Sequence, residues 1–230
     1  AIEYEVTALD RKVRIALQSN LQVNRARPGE GDDPRAARHL DEVLRSHLSV
    51  SENKRVVLGH TTHVSELAVA SGMDHRVECD SELESLTQAE PDLGRVTMSA
   101  ELQPGETMRL VKFVSYHWSS QQSVEWLRDQ VDASLESALA EGFDGLLEEQ
   151  REILGRYWER ADIEVDGDDE LQQAVRFAMF HIFQSAARNE GRAIPAKGLT
   201  GTGYDGHAFW DTESFVLPVL TFTAPDTVRH

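Results

Sequence analysis

The chain carries two hydrophobic periods in succession. Over residues 1–118 apolar and polar positions alternate every second residue. Ile2-Glu3-Tyr4-Glu5-Val6 opens the pattern, Val13, Ile15 and Leu17 alternate with Arg14, Ala16 and Gln18, and Val96, Met98, Ala100 and Leu102 alternate with Thr97, Ser99, Glu101 and Gln103. A period of two sends neighbouring side chains to opposite faces of a pleated strand, so these stretches predict half-buried strands. Residues 55–64 and 67–73 add β-branched strand material, and Gln103-Pro104-Gly105-Glu106 predicts a turn joining the preceding strand to 108–115 as a hairpin. Short strands with one polar and one apolar face favour antiparallel sheets packed as a sandwich; a parallel sheet would need helices between its strands. Residues 24–48 interrupt the alternation. Their first half, rich in Arg, Pro, Gly and Asp, predicts a loop, and Ala37, Leu40, Val43, Leu44 and Leu48 predict a short helix over 35–47.

Near Ser119 the period changes to 3.6. Val124, Leu127, Val131, Leu135 and Ala138 form one helical stripe, and beyond Glu141-Gly142 a second runs through Phe143, Leu146, Leu147, Leu154, Tyr157 and Trp158. The acidic stretch 162–170 keeps part of the step of a calcium loop at Asp162, Glu164, Asp166 and Gly167. Its last ligand position falls on Gln173 where a bidentate Glu is needed, so helix capping by Asp166 or Asp168 is the better account. The helix predicted over 170–187 is apolar nearly all round, through Leu171, Ala174, Val175, Phe177, Ala178, Met179, Phe180, Ile182 and Phe183, and is expected to be buried on most sides among partner helices.

After that helix comes a long loop dense in Gly, His, Trp and Asp, the composition in which function sits on a rigid scaffold. The run Ile194-Pro195-Ala196-Lys197-Gly198-Leu199-Thr200-Gly201, then Gly203-Tyr204, Gly206-His207 and Phe209-Trp210-Asp211-Thr212-Glu213, resembles the corresponding loop of glycoside hydrolase family 65, the maltose, trehalose and kojibiose phosphorylases and related trehalases. The match is long and ungapped. The order of elements is similar too, since members of that family carry an N-terminal β-sandwich, a helical linker and an (α/α)6 barrel that holds the active site. The resemblance implies a multidomain chain, β then α: a partial antiparallel β-sandwich over 1–118, a helical linker over 119–165, and the first helices of an (α/α)6 barrel over 166–230. The alternation already under way at Ile2, and Pro225 at the start of a helix five residues before the last, are expected of a piece cut from a longer protein.

Composition narrows the function classes. A net charge of −17 repels phosphate backbones and anionic headgroups, so neither nucleic acid nor a membrane surface is an expected partner. Cys79 is the only cysteine, which rules out an internal disulfide framework and suits a cytoplasmic setting. No stretch has the continuous apolar length of a membrane span.

Within the loop, Gly201-Thr202-Gly203-Tyr204-Asp205-Gly206 has the spacing of a dinucleotide fingerprint. That fingerprint needs a strand before it and a helix opening at its last glycine; here a helix and Ile194-Pro195 precede it. Trp210 and Asp211 are the pair with the clearest chemistry, because an indole can cover the apolar face of a pyranose and a carboxylate can accept hydrogen bonds from two neighbouring hydroxyls. Residue types alone favour another account, in which Trp210 is core and Asp211 caps a helix opening near Thr212. The resemblance reverses that preference, since the family's corresponding Trp and Asp contact the glucosyl unit on the non-reducing side of the scissile bond. With Phe209 and His207 they make up the expected substrate-binding set; for His207 a structural hydrogen bond is an equal alternative. Asp211 and Glu213 do not serve as an acid and base pair, because residues two apart on a helix do not face each other and inversion needs carboxyl groups roughly 6.5–9.5 Å apart. His60 and His63, three apart on a strand, point to opposite faces and cannot chelate one metal ion. Lys197 and Arg192 either orient the loop or are solvated.

By resemblance, then, the parent protein is an inverting α-glucoside phosphorylase. It would act on a glucose disaccharide of kojibiose, trehalose or maltose type, with inorganic phosphate as co-substrate, no cofactor and no metal. Its general acid, a Glu, and its phosphate-binding loops would lie beyond residue 230, so no catalytic residue is expected in this chain. A trehalase-like hydrolase is the nearest alternative, a noncatalytic carbohydrate-binding or structural fragment the next. A homodimer is expected by the same resemblance.

Overall fold

A computed structural model describes residues 1–24, 43–186, 193–198 and 203–229, and these fall into two compact units that divide between residues 148 and 149. The first unit is built on strands β1 (Ile2–Thr7), β2 (Val13–Gln22), β3 (Leu44–Glu52), β4 (Arg55–Thr62), β5 (Ala68–Cys79), β6 (Glu84–Glu90), β7 (Leu93–Leu102) and β8 (Thr107–Ser119). They form two antiparallel sheets, one ordered β1-β8-β5-β4-β3 and the other β2-β7-β6. The register across β2 and β7 sets Ile15 opposite Ala100 and Leu17 opposite Met98. Alternate residues therefore share one face, and that face packs on Val56, Leu58, Met73, Met108 and Leu110 of the larger sheet to make the sandwich core.

The larger sheet is covered on its other side as well. Helix α1 (Val124–Ala161) lays Val124, Leu127, Val131 and Leu135 on Val57, Ala68, Ala70, Val111 and Phe113. Every residue from Val56 to His60 is buried in consequence. The expectation of one polar face per strand fails in β4 and much of β5, because the helical stripe occupies the side where water was expected. Glycines let the layers approach: a Cβ at Gly59 or Gly72 would overlap the side chain of Val124 or Val131. The first stretch of α1 stops at Gly142, whose φ of 77° and ψ of 178° suit only glycine. The Arg76 guanidinium donates to the Leu139 carbonyl at 2.6 Å, so a cation satisfies one of the end carbonyls. The two helices expected on either side of Gly142 are both present.

Two local expectations are corrected. The turn at 103–106 forms, with Glu106 N–H donating to the Gln103 carbonyl at 3.0 Å, but β7 and β8 belong to different sheets. The hairpin is instead a crossover between layers. Gly105 N–H donates to the Ala8 carbonyl and Ala8 N–H to the Glu106 carbonyl, which ties the crossover beside β1. The helix expected over 35–47 is contradicted at its end, where Leu44 to His47 run in β3 as an edge strand bonded to β4; its earlier part lies outside the described residues. Asn24 joins the chain to Leu44 with two bonds, donating to the Leu44 carbonyl at 2.7 Å and accepting its N–H at 3.1 Å. Its amide also reaches Asp92, which accepts the Nε2–H of buried His60 at 2.9 Å. His63 is exposed in the turn after β4.

The second unit holds the end of α1 and helices α2 (Asp169–Ala186), α3 (Leu217–Thr223) and α4 (Pro225–Val228). Tyr157 is buried, stacks on Phe183 with centroids 4.0 Å apart, and donates its hydroxyl to the Met179 carbonyl. The acidic connector is used structurally. Asp162 takes both arms of the Arg176 guanidinium, and Asp168 accepts the Leu171 N–H at 2.9 Å, the expected cap. On α2 only Met179 and Ala186 are buried, while Leu171 and Phe177 stay 49% and 65% exposed, so the helix is less covered than its composition predicts. Among the described residues no helix is long and apolar enough to cross a membrane.

Two outcomes test this architecture. Gly72→Ala, which forces a methyl into the contact with Val131 and Leu135, is expected to cost about 1–3 kcal/mol in urea unfolding. The second concerns His75, buried between the sheets with Nδ1–H donating to the Lys54 carbonyl and Nε2 accepting the Ser19 hydroxyl, each at 2.8 Å. Burial holds its pKa below the ordinary value, against the pull of the Lys54 carbonyl and with help from the nearby Lys112 charge. The unfolded chain therefore binds the proton more readily. His75 stabilises fully above about pH 6.5, and that contribution falls away as pH drops toward its folded pKa. Unfolding followed from pH 7.5 to 5 should show this decline, and His75→Gln should flatten it.

Candidate functional site

The loop is anchored at Ile194, which is buried with Ala186, Leu220 and Ala224 in one of the small cores of the second unit. Pro195 to Gly198 then turn, Gly198 N–H donating to the Pro195 carbonyl at 2.9 Å. Tyr204–Gly206 form a 3-10 turn closed by His207 N–H on the Tyr204 carbonyl at 2.9 Å. Two bonds tie the arms of the loop together: Ala196 N–H donates to the His207 carbonyl at 3.1 Å, and the Thr212 hydroxyl donates to the Ile194 carbonyl at 3.3 Å. Between these ties Tyr204 meets Phe209 edge-on, with centroids 5.2 Å apart at 71°, and the Lys197 ammonium sits 5.7 Å from the Tyr204 ring centre.

Phe209, Trp210 and Asp211 lead directly into one wide π-turn, Thr212–Val216. Thr212 N–H donates to the Phe209 carbonyl at 3.1 Å, and Glu213 and Ser214 both donate to the Trp210 carbonyl, at 3.1 and 3.4 Å. Pro218 lies just beyond, at the second residue of α3, which continues from the π-turn without a break; it has no N–H to give to the helix. Such single π-turns recur at functional sites.

The four expected substrate-binding residues share this loop and differ in how they sit in it. Trp210 is 71% exposed and Phe209 41% exposed. Asp211 is exposed, has helical backbone angles and makes no side-chain cap bond. The account in which Trp210 is core and Asp211 a helix cap does not describe this structure. His207 gives its backbone to the loop and exposes its imidazole. Arg192, Gly201 and Thr202 lie outside the described residues; Tyr204–Gly206 form the 3-10 turn, and no helix opens at Gly206 as a dinucleotide fingerprint needs.

Lys197, Tyr204 and Thr212 fasten the loop, a role that residue type alone does not assign to Tyr204 or Thr212 and leaves open for Lys197. The available signal was a bulky aromatic set between glycines, Gly203-Tyr204 and Gly206, where a turn would ordinarily take small residues. Elsewhere, two surface hollows of about 340 Å³ lie on the sandwich, one along Arg14, Glu84 and Glu101, the other along Arg55, Arg128 and Asp132. Several of their charges are paired, Arg14 with Glu84 at 2.8 Å, Lys12 with Glu101 at 2.7 Å, and Arg55 with Asp74 at 2.8 Å and Asp132 at 3.2 Å.

The chain thus sets a β-sandwich before helices and presents an aromatic and a carboxylate side by side on a tied loop. The sequence model of the glycosyl hydrolase family 65 N-terminal domain matches residues 1–157, and that of the family's central catalytic domain matches residues 176–230. The chain belongs to glycosyl hydrolase family 65. It is 51% identical over 228 residues to an uncharacterized glycosyl hydrolase of Mycobacterium leprae, covering 99% of this chain and 29% of that protein. To the alpha,alpha-trehalose phosphorylase of Thermoanaerobacter brockii it is 30% identical over 230 residues, covering 100% of this chain and 30% of that protein. A solved structure from the human microbiome, provisionally named a kojibiose phosphorylase, shares the fold at a TM-score of 0.76 and 23% identity, over 95% of this chain and 28% of its own. The chain thus spans 29–30% of the length of these curated relatives.

The placement of Trp210 predicts a measurement. Trp210→Phe should remove the most acrylamide-accessible part of the tryptophan emission and lower the quenching constant; an unchanged constant would put the indole inside a core.

Proposed function

We propose that the full-length protein containing this chain is an inverting α-glucoside phosphorylase. In this reading inorganic phosphate attacks the anomeric carbon of a glucose disaccharide while a carboxylic acid protonates the departing oxygen, releasing β-glucose 1-phosphate and the shortened acceptor. Phosphate is itself the nucleophile, so one carboxyl acid suffices; a hydrolase would need a second carboxylate to activate water. The acid and the phosphate site are assigned to sequence outside these 230 residues.

The role of this chain is to hold the glucosyl unit. Trp210 covers an apolar ring face, Asp211 accepts hydrogen bonds from two adjacent hydroxyls, and Phe209 and His207 border them. The observation that carries the reading is the exposed, uncommitted Trp210–Asp211 pair on a tied turn, within the segment matched by the catalytic-domain model. The trehalose phosphorylase relative supports phosphorolysis over hydrolysis.

The experiment incubates the full-length protein with trehalose, kojibiose, maltose and related disaccharides, with and without phosphate. Glucose 1-phosphate formed only with phosphate is the expected product. Free glucose under both conditions would make the protein a hydrolase, and no turnover on any disaccharide would leave a noncatalytic role. Asp211→Asn is expected to lower kcat/KM about 10- to 150-fold, the loss of one charge-assisted hydrogen bond of roughly 1.5–3 kcal/mol.

A further inference from the structure

Tyr204 adopts φ of 50°, a left-handed conformation that is a genuine outlier for a bulky side chain. The neighbouring glycines take φ of 132° at Gly203 and 76° at Gly206, so the turn already draws on the residue type suited to it. A third glycine would relieve the backbone at position 204. The ring must supply something that offsets the strain, and strained residues of this kind cluster where a site is held in shape.

The ring does not supply core burial. Its partner Phe209 is 41% exposed and Lys197 is exposed, so the cluster lies at the surface. It does supply direction. The edge-on contact fixes the Phe209 side chain, and Phe209 is the residue whose carbonyl accepts the Thr212 N–H and opens the π-turn. Trp210 and Asp211 follow it directly, so a rotation at Phe209 swings both side chains together. The Lys197 ammonium lies 5.7 Å from the centre of the ring, and its own turn is tied to His207 through Ala196.

We propose that Tyr204 is a positioning residue, whose ring, set between Phe209 and Lys197, fixes the direction in which Trp210 and Asp211 are presented to the sugar. The second half of that statement rests on the sugar-binding reading of Trp210 and Asp211; the first half does not. Tyr204 touches no reacting atom. The phenol hydroxyl has no part in it, so Tyr204→Phe retains the device and Tyr204→Gly removes it while relieving the backbone.

The test uses the full-length protein labelled with 5-fluorotryptophan, its Trp210 fluorine resonance assigned by Trp210→Phe. In Tyr204→Gly the Trp210 resonance is expected to shift or split while those of Trp118, Trp126 and Trp158 stay in place, with melting within a few degrees of the parent. Turnover of the disaccharide should fall at least tenfold in kcat/KM, with kcat lowered as well as KM raised. Tyr204→Phe should restore both readouts, and Lys197→Met should give a smaller change of the same kind. An unmoved Trp210 resonance in Tyr204→Gly overturns the proposal, as does an equal loss in Tyr204→Phe. If the resonance moves but Asp211→Asn and Trp210→Phe leave kcat/KM unchanged, the ring positions the turn and the sugar-binding reading is what fails.

Discussion

The first unit depends on the centre of the five-stranded sheet, β4 with the adjoining parts of β5 and β8, being dry on both faces, because only then do these strands hold both the smaller sheet and α1. Val56 and Leu58 point into the sandwich core and Val57 to the helix, so consecutive residues of one strand serve two layers. Each such side chain contributes about 1.5–3 kcal/mol when fully buried. The polar groups that come with them are bonded: His60 to Asp92, His75 to Lys54 and Ser19, and His117 to Ser134. Among the described residues no buried side-chain nitrogen or oxygen lacks a partner. An unpaired group in such a layer would cost as much as a lost methyl or more.

That arrangement also explains what could be read in advance. Strands β2 and β7 face the core on one side and water on the other, and their alternation announced them. The helical stripe from Val124 to Leu135 was equally plain, and so was the break at Gly142. What periodicity could not reveal was that the stripe lies on the sheet, since a strand buried on both faces has no polar period to lose. Leu44 to His47 misled for a related reason: alternation in an edge strand with Arg45 and His47 at its outward positions is short enough to fit a helical spacing. The turn at 103–106 was legible from Pro104-Gly105, but which sheets it joins depends on pairings far away in sequence, such as Ile2 with Lys112 and Val13 with Leu102.

At the loop, residue types alone favoured a core tryptophan and a capping aspartate, and it was the family resemblance that singled out Trp210 and Asp211. Capping and core burial are the usual fates of Asp and Trp at a helix start. The backbone excludes both here by placing Asp211 already in helical angles and Trp210 outward. The strained Tyr204 was not legible, because a positive φ at an aromatic residue is imposed by its tertiary contacts rather than by its own preference.

The pair of hydrogen bonds between Asn24 and Leu44 has a consequence for variation. It clamps the two sides of the stretch 25–42 at one fixed point, with Asp92 and His60 behind it, so the strands on either side keep their register whatever chain lies between. Loop closure becomes more costly only slowly with length. A change of length in the sequence between them is therefore expected to leave β2 and β3 in register.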